Sequence, residues 1–181
     1  MGTPHLICLY HNGRVVVAQY GGHDGHPSHT GRDIMHLLSD PRFQRRLRAK
    51  LPLVRHRSPN ADYNSCHAGS IDEKAGSSAL NDIAYAEGPL LHSFCLEFAS
   101  QGACCEWVYL IDLDSEVLEV YSGVGGSRFG TTPVVRGRLA EVGARGQVLR
   151  VAIPFVDLPG DKEELVKACT AGDEEEEEGL W

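Results

Sequence analysis

The stretch His5 to Pro27, HLICLYHNGRVVVAQYGGHDGHP, decides the fold. Two apolar runs, Leu6 to Tyr10 and Val15 to Tyr20, flank Asn12-Gly13. That dipeptide is the strongest short-range signal for a two-residue hairpin turn, because both central residues need positive φ. The spacing therefore predicts a β-hairpin at the N-terminus. Val15, Val16, Val17 and Ala18 are apolar without alternation, which predicts a second strand covered on both faces. Gly21, Gly22, Gly25 and Pro27 then stop the strand, and Gly21 to His29 reads as a polar loop rich in histidine.

Working outward, Thr30 with Asp33 three residues on predicts the start of a helix, with Ile34, Leu37 and Leu38 as its buried stripe. Asp40-Pro41 predicts a second helix, with Asp as N-cap and Pro at the first helical position. Phe43, Leu47 and Leu51 give that helix one apolar side. The rest of it, from Arg42 to Arg57, is basic without a single acid. Ser58 to Ser78 is poor in large apolar residues and reads as a long loop or insertion. Leu80 to Ala86 reads as a short helix. Gly88-Pro89 predicts the opening of another, with Leu90, Leu91, Phe94, Cys95 and Phe98 on one face and Gly102 as its stop.

Glu106 to Ile111 and Val117 to Tyr121 predict a second hairpin around Asp112 to Ser115. In its second arm Val117, Glu119 and Tyr121 lie on one side and Leu118 and Val120 on the other. Ser122 to Thr132 is glycine-rich connection, and Val134 to Gly146 has no clear period. Val148 to Phe155 predicts a further strand, and Asp161 with Glu164 caps a last helix through Cys169. The order predicts an α+β fold, a single domain over residues 1–170 with a mostly antiparallel sheet built from two β-hairpins and helices segregated from them. Residues 171–181 follow as a disordered acidic tail.

At 181 residues the chain is long enough to bury one sizeable core. Its 42% hydrophobic and 23% charged content is that of a globular protein. The net charge of −8 owes most to the run Asp173 to Glu178. Six cysteines are present, but no signal peptide, membrane-length apolar run or Cys-x-x-Cys accompanies them. The expectation is a reduced, intracellular, cytoplasmic protein without structural zinc or other cofactor. Met1-Gly2 begins like a myristoylation signal, but Leu6 stands where Ser or Thr is required.

Several motifs carry a resemblance. Met-Gly-Thr with His5-Leu6, then Val17-Ala18-Gln19-Tyr20-Gly21, then Asp24-Gly25 and Pro27 form one set. Leu96-Glu97-Phe98-Ala99, Cys105-Glu106-Trp107-Val108-Tyr109-Leu110-Ile111-Asp112-Leu113-Asp114 and Leu118-Glu119-Val120-Tyr121 form another. Together they resemble an uncharacterised family of small intracellular proteins from filamentous fungi, with phage relatives. The resemblance implies an intracellular α+β architecture and no particular chemistry. It covers both hairpins and the segment before the second, and neither Ser58 to Ser78 nor the tail. Family members carry aromatic residues where this chain has His23 and His26, and Arg where it has Pro4.

The expected function is that of a binding or interaction module, with another protein as a possible partner and no membrane. Its site is expected on the loop after the first hairpin, at Gln19, Tyr20, Asp24, His23 and His26, because a glycine-flanked loop leaving a buried strand is a common place for binding groups. Asp24-Gly25 is equally suited to forming a turn. His23, His26 and His29 are spaced by three with Asp24 among them, a weak metal-ligand pattern, since Gly25 and Pro27 argue against a helix that would align them. An alternative is a hydrolase of N-terminal-nucleophile type using Thr3, against which removal of Met1 exposes Gly2 and not Thr3. Cys66-His67 adjacency adds nothing to a cysteine hydrolase reading. The second alternative is phosphate or nucleic-acid binding through Arg42, Arg45, Arg46 and Arg48. Nucleic acid is disfavoured, because the body is not basic overall and the sequence shows no aromatic stacking motif beside the arginines.

Overall fold

Alternation along the first hairpin puts Ile7, Leu9 and Val17 on one face of a sheet and Leu6, Cys8, Tyr10 and Ala18 on the other. Both sets are buried, so the sheet is the middle layer of three. The structure is a computed structural model describing residues 2–56, 69–70, 76–101, 103–123 and 136–171. Most of the 58–78 segment, Gly102, Cys66-His67, the glycine-rich stretch after Gly123 and the acidic tail lie outside the described residues.

β1 (His5–His11) and β2 (Arg14–Gly21) form the expected hairpin. Asn12 and Gly13 take φ of 53° and 76°, as a tight turn matched to strand twist requires. The register shifts between Leu9 and Tyr10, which pair with Val17 and Val15, so Val16 is an extra residue on β2. That bulge explains the unbroken apolar run: Val15 joins one core face, while Val16 and Val17 both turn to the other.

β6 (Trp107–Asp112) and β7 (Val117–Gly123) form the second hairpin, and β8 (Gln147–Pro154) extends it. The sheet order is β2-β1-β6-β7-β8. The two hairpins are joined by β1 and β6 running parallel, from His5 opposite Trp107 to Tyr10 opposite Asp112. β3 (Val54–His56), β4 (Gly69–Ser70) and β5 (Leu90–His92) form a second, small, all-parallel sheet in the order β3-β5-β4.

Helices cover both faces rather than standing apart from the hairpins. α1 (Arg32–Leu38), α2 (Pro41–Lys50), α3 (Ser78–Ala84) and α5 (Lys162–Thr170) bury Ile34, Leu38, Phe43, Leu47, Leu80, Ile83 and Leu165 against the Ile7 face. A 3₁₀ turn at Leu96–Ser100 and the short α4 (Arg138–Glu141) cover the Leu6 face. The architecture is a mixed α+β single domain, and the expectation of segregated helices is corrected. A sheet whose central strands are apolar on both sides needs two covers. No helix among the described residues is long and apolar enough to cross a membrane.

Two local expectations also change. The helix expected after Gly88-Pro89 is instead β5 followed by the 3₁₀ turn. Its apolar residues are divided between the two cores: Leu90 packs with the Ile7 cluster, and Phe94, Cys95 and Phe98 pack with the Leu6 cluster. Thr30 is not a helix cap. A single π-helical turn, Pro27–Gly31, leads into α1, and the hydroxyl of Thr30 donates to the Asp24 carbonyl (2.8 Å). Asp40 and Asp161 do cap α2 and α5, accepting from Arg42 N–H (2.8 Å) and Glu164 N–H (2.9 Å).

The two hairpin tips are clipped together. The Asp114 carboxylate accepts from Asn12 N–H (3.0 Å) and Gly13 N–H (2.9 Å) and lies 3.0 Å from His11 Nδ1. The Gly13 N–H, above all, holds this carboxyl below its usual 3.8, with Asn12 and His11 adding to the effect. A carboxyl with a lowered folded pKa contributes stability above 3.8 that is lost as pH falls. Asp114→Ala is expected to cost about 1–2 kcal/mol in urea unfolding at pH 7, from lost charge-assisted hydrogen bonds at a partly exposed site. The difference from wild type should shrink as pH falls from 3.8 through the lowered folded pKa, below which the Asp114 carboxyl is neutral.

Candidate functional site

β2 ends the main sheet, so one side of its backbone faces away from β1. Three hydrogen bonds close it. His56 Nε2–H donates to the Val16 carbonyl (3.0 Å), Ala18 N–H donates to His92 Nε2 (3.0 Å), and Cys95 N–H donates to the Ala18 carbonyl (3.0 Å). The Gln19 amide donates to the Tyr20 carbonyl (2.9 Å). His56 and His92 are direct neighbours in the β3–β5 register, their rings 5.9 Å apart, and both meet Phe94. The small sheet thus reaches β2 through two imidazoles.

Because a backbone N–H only donates, Nε2 of His92 must be the acceptor nitrogen, and the proton of the neutral ring sits on Nδ1. Nδ1 is buried with no partner among the described residues. Protonating this ring would forfeit the Ala18 bond. Burial, and secondarily the neighbouring His56, pulls its pKa from 6.5 down to about 4.

Beside this closure lies a groove of about 350 Å³. Val15, Val16, Leu51 and Val54 supply its apolar surface, and Arg14, Arg55 and His56 its polar rim. Arg14 comes from the start of β2, whereas Arg55 and His56 come from β3, which follows the 3₁₀ turn Leu51–Leu53 at the end of α2. Arg55 donates to the Pro52 carbonyl (2.6 Å), which leaves most of its guanidinium donors for a ligand. Among the described residues no carboxylate lines this groove. A second depression, of about 630 Å³, lies between α1 and the start of α5. It holds charges of both signs, already paired as Arg32 with Asp33 (2.7 Å) and Lys162 with Glu163 (3.7 Å).

The residues expected on the first loop are placed differently from one another. Gln19 is buried. Tyr20 is half-buried and packs edge-on to Phe98. Asp24 is exposed, with φ of 56°, and acts through its backbone: its carbonyl accepts from the N–H (3.1 Å) and hydroxyl of Thr30. The loop folds over His5, which is fully buried. A Cβ at Gly21 or Gly25 would collide with the His5 ring, so glycine is required by close approach at both. His5 Nδ1 donates to the Thr3 carbonyl (3.3 Å), and Tyr109 donates to the Gly25 carbonyl (2.7 Å). Burial, first, lowers the His5 pKa, with the Thr3 carbonyl and the Asp24 charge opposing it.

His23 and His29 are exposed and His26 packs edge-on to Trp107. His26 and His29 turn Nδ1 to the same Ser28 hydroxyl, at 2.8 and 3.0 Å. Ser28 N–H also donates to His26 Nδ1, so that lone pair caps the π turn. No group of three or more metal-ligating side chains gathers among the described residues. Burial raises the thiols of Cys105 and Cys169 to about 12 and that of Cys8 higher still, which makes them packing groups rather than nucleophiles.

On α2, Arg48 is committed to the Leu113 carbonyl (2.9 Å) and Glu116 (2.7 Å), while Arg42, Arg45 and Arg46 are exposed. Arg14, His56 and His92 were missed by sequence reasoning. Arg14 follows the turn dipeptide, and His56 and His92 stand 36 residues apart with no shared motif; only the fold brings them together. No family model, curated protein or solved structure matches the chain.

The His92 tautomer has a measurable consequence. A histidine with a lowered folded pKa leaves stability intact above 6.5 and erodes it as pH falls towards 4, because the unfolded chain takes the proton first. Urea unfolding should show His92 accounting for a loss of about 3 kcal/mol across that interval. His5 and His26 act in the same direction. His92→Gln, which keeps an acceptor for Ala18 N–H, should flatten the profile but not abolish it.

Proposed function

We propose that this protein is a binding module for a small anionic ligand with an apolar body, held in the groove between β2 and β3. The observation that carries the reading is the convergence of Arg14, Arg55 and His56 on one apolar depression with no carboxylate among its described lining residues. Guanidinium groups match carboxylate or phosphate in a bidentate fork, and the valine and leucine surface takes the rest of the ligand. The first loop then serves as structural closure over His5, and the exposed His23, Asp24 and His29 form a separate polar face.

The binding reading is favoured over hydrolysis by the same geometry. Thr3 has its carbonyl tied to Gly25 N–H (3.0 Å) and to His5. Ser28 has imidazoles beside it, but the His26 lone pair already takes a backbone N–H. Neither residue lines the groove.

Titration with phenyl phosphate, followed by amide chemical shifts, should perturb Val15, Val16 and Val54. Arg14→Gln and Arg55→Gln should each weaken binding roughly tenfold, as loss of a charge-assisted hydrogen bond does. Arg32→Gln, in the other depression, should leave it unchanged. Shifts confined to the Gly21 to His29 loop would return the site to that loop.

A further inference from the structure

α2 presents Arg42, Arg45 and Arg46 to solvent, and the structure supplies beside them the aromatic residue the sequence did not reveal. Tyr85 lies at the C-terminal end of α3, which packs against α2. It is 58% exposed, one of two large hydrophobic side chains left in water among the described residues. The Arg46 guanidinium stands over its ring, 5.0 Å from the centroid. Arg42 and Arg45 have no ion-pair partner among the described residues. Arg42 and Arg46 are one helical turn apart, about 6 Å along the axis. Among the described residues of α2, α3 and the segments flanking them, the acidic side chains are Asp40, whose carboxylate caps α2, and Asp82 and Glu87 on and after α3.

We infer that this face binds single-stranded nucleic acid, with Arg42, Arg45 and Arg46 on successive phosphates and one base stacked on Tyr85. Arginine is the side chain suited to phosphate, and cations alone would serve any polyanion. The exposed ring selects among polyanions. A flat π surface beside guanidinium groups recognises an unstacked base, which an acidic peptide does not have and a duplex does not offer. The apolar part of Tyr85 is otherwise a cost to leave in water. The site is separate from the groove: none of these four residues lines it.

The test is fluorescence anisotropy of the full chain with a labelled oligodeoxythymidine of about twelve nucleotides. Wild type should bind with an affinity that falls as salt rises. The slope of log K against log salt should flatten by about 0.7 for each of Arg42 and Arg45 replaced by Gln. Tyr85→Ala should weaken binding roughly tenfold with the slope unchanged, and Tyr85→Phe should restore it. Circular dichroism confirms that these surface variants remain folded. Three results would overturn the inference: no binding at low salt, equal affinity for a poly-glutamate peptide or the corresponding duplex, or an arginine dependence without any Tyr85 dependence. The last would leave only general attraction of polyanions to a basic helix.

Discussion

A strand at the end of a sheet presents alternate N–H and C=O groups to whatever lies beyond it. In β2 the carbonyl of Val16 and both backbone groups of Ala18 are met by His56, His92 and the Cys95 amide. Side chains are an uncommon way to close an edge, and this one fixes several things together. It locates the small β3-β5-β4 sheet against the main one. It turns the segment after α2 back towards Arg14, and so creates the groove. It also requires one tautomer of His92, because the Ala18 amide has only a proton to give. An imidazole held neutral in this way is a rigid acceptor at neutral pH and a liability in acid.

The other dependence is the parallel pairing of β1 with β6. Those strands lie about a hundred residues apart in sequence, and closing so long a loop is repaid only by the extent of burial along the join. Leu6, Ile7, Cys8, Leu9, Val108, Tyr109, Leu110 and Ile111 are all fully buried there. Asp114 holds one end of the join through the Asn12-Gly13 turn, and the Tyr109 hydroxyl, reaching Gly25, holds the other. Between them the hairpins behave as one sheet, and the loop that follows β2 is packed down rather than left free.

Both hairpins were legible in the sequence because their signals are local: a positive-φ dipeptide between apolar runs, and alternation along Val117 to Tyr121. The caps at Asp40 and Asp161 were legible for the same reason. The segment after Gly88-Pro89 was not. Its apolar residues have helical spacing, yet Leu90 and Phe98 serve different cores, and tertiary burial outweighs a period of that kind. The Thr30 cap failed because Thr30 lies inside the π turn Pro27–Gly31 that runs straight into α1, so it does not stand at a helix start. The Val16 bulge carries no sequence mark beyond an apolar run. At the candidate sites the basic face of α2 was visible, but Tyr85 and Arg14 come from distant segments, and no spacing announces such a meeting.

The closure of β2 turns on His92, whose ring nitrogens can be observed directly. Long-range ¹⁵N–¹H correlation of the histidine side chains should show His92 neutral at pH 6, with Nδ1 protonated and Nε2 bare. Its Ala18 amide should be protected from exchange under the same conditions. A His92 ring protonated at Nε2, or one that titrates near the ordinary value of 6.5, would contradict the closure of β2 and with it the groove built beside that edge.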